Sequence, residues 1–110
     1  MIAVSAYEHK IGATLDLVGQ LTLNGQAQDM AGWSARSQMR GPAGEIDLEC
    51  VWLDAGAGVL AVRAAPDAQG DWRPGRYGID VRLESPSGEV LISSADQVQL
   101  VAPVTRPAQP

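Results

Sequence analysis

The sequence predicts an all-β protein, an antiparallel β-sandwich of about seven to eight short strands. Three observations carry that expectation. Apolar residues recur at every second position in segment after segment, which is the period of a strand with one buried face. Turns rich in Gly, Pro and Asn divide these segments at spacings of roughly 8–12 residues. No long stretch keeps a helical period free of glycine or proline.

Taken in order, Ile2, Val4 and Ala6 alternate in a first strand. Leu15, Leu17, Leu21 and Leu23 keep odd register through a second, with Gly19 as a break. Asn24-Gly25 is a strong turn signal. Residues 27–31 have the composition for one helical turn. After Gly32, Trp33, Ala35, Ser37 and Met39 share one face, and Ser34, Arg36, Gln38 and Arg40 the other. Gly41-Pro42-Ala43-Gly44 turns the chain into a strand with Ile46, Leu48, Cys50 and Trp52 on one face and Glu45, Asp47, Glu49 and Val51 opposite. Residues 54–58 read as a loose turn before Leu60, Val62 and Ala64. Residues 55–68 are the longest helix candidate, but their glycines and Pro66 oppose it.

Residues 71–84, DWRPGRYGIDVRLE, place a turn before an alternating strand with Tyr77, Ile79, Val81 and Leu83 on one face. Ser85-Pro86-Ser87-Gly88 is a hairpin turn into residues 89–93, and Val98 and Leu100 finish the last strand. Prolines at 103, 107 and 110 cannot pair in a sheet. The sandwich is therefore assigned to residues 1–102 and a Pro-rich tail to residues 103–110.

A chain of 110 residues makes one domain. Its net charge of −5 opposes a nucleic-acid partner, which needs a basic face, and opposes an anionic membrane surface. The opening MIAVSAYEHK shows no basic stretch followed by a long apolar run, and no segment approaches a membrane span. A product made in a cytoplasm, soluble or joined to an assembly, is expected.

Catalytic, cofactor and metal sites are not expected. Cys50 is the only cysteine and His9 the only histidine, so neither a thiolate cluster nor a nucleophile–base–orienter set can be assembled. His9 reads as a solvated strand-end residue. Asp47 and Glu49, beside Glu45, read as an acidic outer face that keeps the sheet soluble. Asp54, Asp67 and Asp71 lack the D-x-D-x-D-G spacing of a calcium loop. Trp33 and Trp52 sit in phase with apolar neighbours. Trp72 precedes a turn and reads as an apolar lid on the sandwich end. Arg36 and Arg40 share one strand face, while Asp80, Arg82 and Glu84 share another. If those strands pair, opposite charges are expected to meet across them.

The order of segments carries a resemblance. It runs from Leu23-Asn24-Gly25-Gln26 through Asp29-Met30-Ala31-Gly32-Trp33 to Gln38-Met39-Arg40. Trp72-Arg73-Pro74-Gly75-Arg76-Tyr77-Gly78-Ile79-Asp80-Val81, Pro86-Ser87-Gly88 and Val104-Thr105-Arg106 follow. This order resembles the small immunoglobulin-like structural proteins of tailed bacteriophages. It is similar to the N-terminal domain of baseplate upper proteins and to the immunoglobulin-like modules found near tail-fibre genes. Asp29-Met30-Ala31-Gly32 departs from the family's usual leucine and threonine, and Met30 keeps the apolar character.

The resemblance implies an immunoglobulin-like sandwich and a structural place in a virion, in tail, baseplate or fibre, made in the host cytoplasm. It implies contacts with other virion proteins in a homo- or hetero-oligomeric assembly, without enzymatic activity or cofactor. In such a sandwich Trp72, Pro74, Gly75 and Tyr77 would form a structural corner. Pro74 presets the turn, Gly75 accepts a positive φ, and the Tyr77 hydroxyl bonds back to the backbone. Trp72, Arg36 and Arg40 are the candidate interaction residues. The alternative expectation is a carbohydrate- or receptor-binding sandwich with Trp72 as an exposed aromatic platform.

Overall fold

Backbone pairing runs along most of residues 7–106, the part of the chain that the computed structural model describes. The fold is all-β. The strands are β1 (Tyr7–Lys10), β2 (Leu15–Gln20), β3 (Thr22–Leu23), β4 (Gln26–Ala27) and β5 (Ser34–Gly41). They continue with β6 (Gly44–Asp54), β7 (Val59–Ala64), β8 (Gly75–Glu84), β9 (Val90–Ile92) and β10 (Asp96–Val101). Two short 3-10 turns, Ala55–Ala57 and Pro66–Gln69, flank β7. Among the described residues no helix is long and apolar enough to cross a membrane.

Hydrogen bonds order the main sheet β1-β10-β8-β5-β6-β7-β2, with β9 added beside β8; β3 and β4 form a separate hairpin. Pairing is antiparallel except between β1 and β10. β6 is the joint. Its first half, through Leu48, pairs with β5, and its second half, from Glu49, pairs with β7. One long strand thus carries the sheet from one ladder into the next, and its register shifts between Trp52 and Asp54.

Both ladders face one core. Met39, Leu48, Tyr77, Val98 and Leu100 come from one side, Leu15, Leu60, Val62 and Ala64 from the other, and Trp72 joins at one end. Burying each large side chain stabilises the fold by ~1.5–3 kcal/mol. The inward set is the one that period two picks out. On β5, Ser37 and Met39 are buried while Arg36 and Arg40 are exposed.

Some expectations change. Residues 27–31 make no helical turn, because Ala27 belongs to β4. The Asp29 side chain accepts a bond from the Ala31 N–H at 3.0 Å, and the Trp33 N–H closes on the Met30 carbonyl at 3.1 Å. An aspartate that bonds its own backbone in this way competes with helix. Gly19 does not break β2, which runs through it with Leu60 opposite. Asn24-Gly25 does turn the chain, with φ of +53° and +79° between Leu23 and Gln26. The expected first strand at Ile2, Val4 and Ala6 lies outside the described residues, as do Pro107 and Pro110.

Candidate functional site

The corner begins where β8 leaves the loop after β7. Arg73-Pro74-Gly75-Arg76 is a bend and not the hydrogen-bonded β-turn expected from Pro-Gly. The reason is that Gly75 and Arg76 are already drawn into the ladder with β10, opposite Leu100 and Gln99. Gly75 takes φ +152° there. Tyr77 is 2% exposed, and its hydroxyl donates to the Arg73 carbonyl at 2.8 Å. Its ring lies against Gly41. A Cβ at position 41 would stand 2.9 Å from the ring and 2.8 Å from the Arg76 carbonyl oxygen.

Trp72 is buried beside this corner. Its N–H donates to the Gln69 carbonyl at 3.1 Å, and its ring lies 6.0 Å from that of His9, tilted by 60°. The platform needed by the carbohydrate-binding alternative is therefore not presented to solvent. The backbone bond to the 3-10 turn fixes the chain at Trp72, and the indole packs into the end of the core.

His9 corrects a second expectation. It is 3% exposed, not solvated. Parallel pairing sets it opposite Leu100, itself fully buried, so both side chains point inward. Its Nε2 meets Gln69 Oε1 at 3.1 Å. Gln69, a residue that sequence reasoning missed, organises this end of the molecule. Its Oε1 also accepts from the Gly12 N–H at 2.8 Å. Its amide nitrogen donates to the carbonyls of Ala13 at 2.6 Å and Ala64 at 3.3 Å. One buried amide thus ties the β1–β2 crossover, the end of β7 and the turn before Trp72. The only sequence hint was that His9 shares odd register with Tyr7 and Ile11.

Arg36 and Arg40 lie on the opposite face of the sheet from Trp72, so the structure separates the three candidate interaction residues. The two arginines share one groove. With Gln38, Asp80, Arg82 and Ile92 they line an open groove of about 530 Å³ across β5, β8 and β9. The expected ladder of opposite charges between β5 and β8 does not form. The register sets Arg36 opposite Arg82 and Gln38 opposite Asp80. Charge is balanced elsewhere: Arg36–Asp47 at 3.7 Å, Arg40–Glu45 at 3.5 Å and Arg82–Glu84 at 3.2 Å. Each such exposed pair contributes ~0–1 kcal/mol. The groove has a mixed lining, in which Ile79 and Ile92 join the charged and polar side chains.

A second opening, about 490 Å³, lies between the two ladders and is lined in part by Tyr7, Val18, Leu21, Val81 and Ser93. Nothing in the alternating pattern announced it, because it depends on how the ladders splay.

The remaining candidates have structural surroundings. Asp47 and Glu49 stay on the outer face of β6, where Asp47 also accepts from Gln38. Asp54 caps the first 3-10 turn by accepting from the Ala57 N–H at 3.3 Å. Among the described residues no three His, Cys, Asp or Glu side chains converge on a metal-sized point. Trp52 is half-buried, with its indole N–H on the Trp33 carbonyl at 2.9 Å. Burial pushes the Cys50 thiol up from its ordinary value, and the Glu49 carboxylate adds to the rise.

No protein-family model and no curated protein matches this sequence. Among solved structures, the fold is similar to the N-terminal domain of phage TP901-1 ORF48. The match has a TM-score of 0.57 and 16% identity, and it covers 89% of this chain and 84% of that one. At that identity the likeness is one of fold.

Proposed function

We propose that this protein is a structural component of a tailed-phage particle, an immunoglobulin-like β-sandwich that holds other virion proteins and catalyses nothing. The observation that carries the reading is the fold likeness to a domain of a phage protein over 89% of the chain. It agrees with the segment order from Asn24-Gly25 to Pro86-Ser87-Gly88.

The immunoglobulin-like form is supported by three details. A short first strand runs parallel to the last one, β6 passes from one ladder to the other, and the Tyr77 hydroxyl returns to a carbonyl just upstream. A contact role fits the groove around Arg36, Arg40 and Arg82, where balanced charge meets Ile79 and Ile92. Tail, baseplate and fibre are the settings in which such a module would work. The test is quantitative mass spectrometry of purified particles. A fixed copy number beside the tail or head proteins is expected, and absence from particles would overturn the reading.

A further inference from the structure

β9 presents an apolar strand edge. Its residues Val90, Leu91 and Ile92 are 41%, 46% and 62% exposed, three consecutive apolar side chains on a strand edge. Among the described residues β9 has β8 as its only strand neighbour. The strand holds no lysine, no proline and no bulge; of the usual protections of an edge it has its shortness, three residues.

The hydrogen-bond phase of this edge can be read from its flanks. The Ser85 N–H donates to the Glu89 carbonyl at 2.8 Å, and the Ser93 N–H to the Val81 carbonyl at 2.9 Å. Bonded pairs alternate along an antiparallel ladder, so Leu91 directs its N–H and carbonyl at Leu83 on β8. Val90 and Ile92 direct theirs outward. Such an edge is its own complement. Turned about a two-fold axis through Leu91, it sets Val90 of one copy against Ile92 of the other, and every outward donor meets an outward acceptor.

Side chains agree with that register. Ile92 lies beside Arg82 on β8, and Val90 beside Glu84. Across the axis each cross-strand row becomes Arg82, Ile92, Val90, Glu84, with the last two from the second copy. The charges at the two ends of a row are opposite, and the apolar pairs are covered between them. We infer that β9 is a homotypic docking edge, through which two copies of this chain pair antiparallel about a two-fold axis at Leu91. The inference rests on the reading of the protein as a contact module and names its partner as a second copy. Three residues a side make a weak contact in isolation, reinforced where an assembly holds the copies together.

Register-specific disulfide trapping tests it, in the full chain with Cys50→Ser. Directly opposed Leu91 positions would have Cα atoms about 4.5 Å apart, within the roughly 4.4–6.8 Å that a disulfide spans. Val90 would stand about 8–9 Å from its own counterpart, and Ile92 likewise, beyond that reach. Leu91→Cys is therefore expected to give the most cross-linked dimer under mild oxidation, and Ile92→Lys added to it should abolish the product. Exposure alone predicts a different ranking, Ile92→Cys first, then Leu91→Cys, then Val90→Cys. Equal yields, that exposure order, or no dimer from Leu91→Cys would each overturn the pairing. So would Val90 and Ile92 amides protected from hydrogen exchange in a monomer, which would mean that another segment of the chain covers the edge. Any of these results beside a normal copy number in particles overturns the edge pairing and leaves the virion role intact.

Discussion

Tyr77 and Gln69 show how differently two buried polar residues can register in a sequence. Tyr77 follows Pro-Gly and opens an alternating strand, so both its burial and its need for an upstream acceptor could be read in advance. Its hydroxyl makes one bond, to the Arg73 carbonyl at 2.8 Å. Tyr77→Phe is expected to lower stability by about 1 kcal/mol, seen as a lower urea midpoint at unchanged slope; an unmoved midpoint would count against the corner. Gln69 sits in Pro66-Asp67-Ala68-Gln69-Gly70, where no period points to a face, and a polar residue in a loop reads as solvated. Yet it serves Gly12, Ala13, Ala64 and His9 from a position 1% exposed. Gln69→Ala strands several buried groups at about 1–3 kcal/mol each, so a loss of about 3 kcal/mol or more is expected. A loss no larger than that of Tyr77→Phe would contradict the network. The inward direction of His9 is not legible in its own segment, because it comes from pairing with β10, a partner far away in sequence.

At the scale of elements, alternation specifies which face is buried but not which strand lies alongside. β5 and β6 show both halves of that rule. Their inward residues were legible, down to Ser37 and Cys50. The passage of β6 from β5 to β7 was not, because the alternation runs through the switch without a break. Nor was the β5–β8 register, which decides that Arg36 faces Arg82 and takes Asp47 on β6 as its ion partner. Turn chemistry was more informative, as at Asn24-Gly25. Gly41 belongs to this scale too. It ends β5 at the hairpin into β6, and its bare Cα lets the Tyr77 ring and the Arg76 backbone approach. Gly41→Ala is expected to cost about 1–3 kcal/mol through overpacking, read as a drop in the thermal midpoint. No drop would mean that the β5–β6 turn and the Tyr77 ring yield to a methyl group without strain.

For the whole molecule, composition and period were enough for an all-β fold, and segment order supplied the resemblance on which the proposed phage setting rests. Neither reaches the partner, because interfaces are written in which side chains share an outer face after the strands have chosen neighbours. The groove across β5, β8 and β9 joins residues from position 36 to position 95. The proposed function makes this all-β chain a part of a particle. Mass spectrometry of purified particles, with the copy number of this chain measured against a tail or head protein, tests it most directly. A constant integer ratio across preparations, kept through density-gradient purification, is the predicted result. A chain found only in the soluble fraction of the lysate would contradict it.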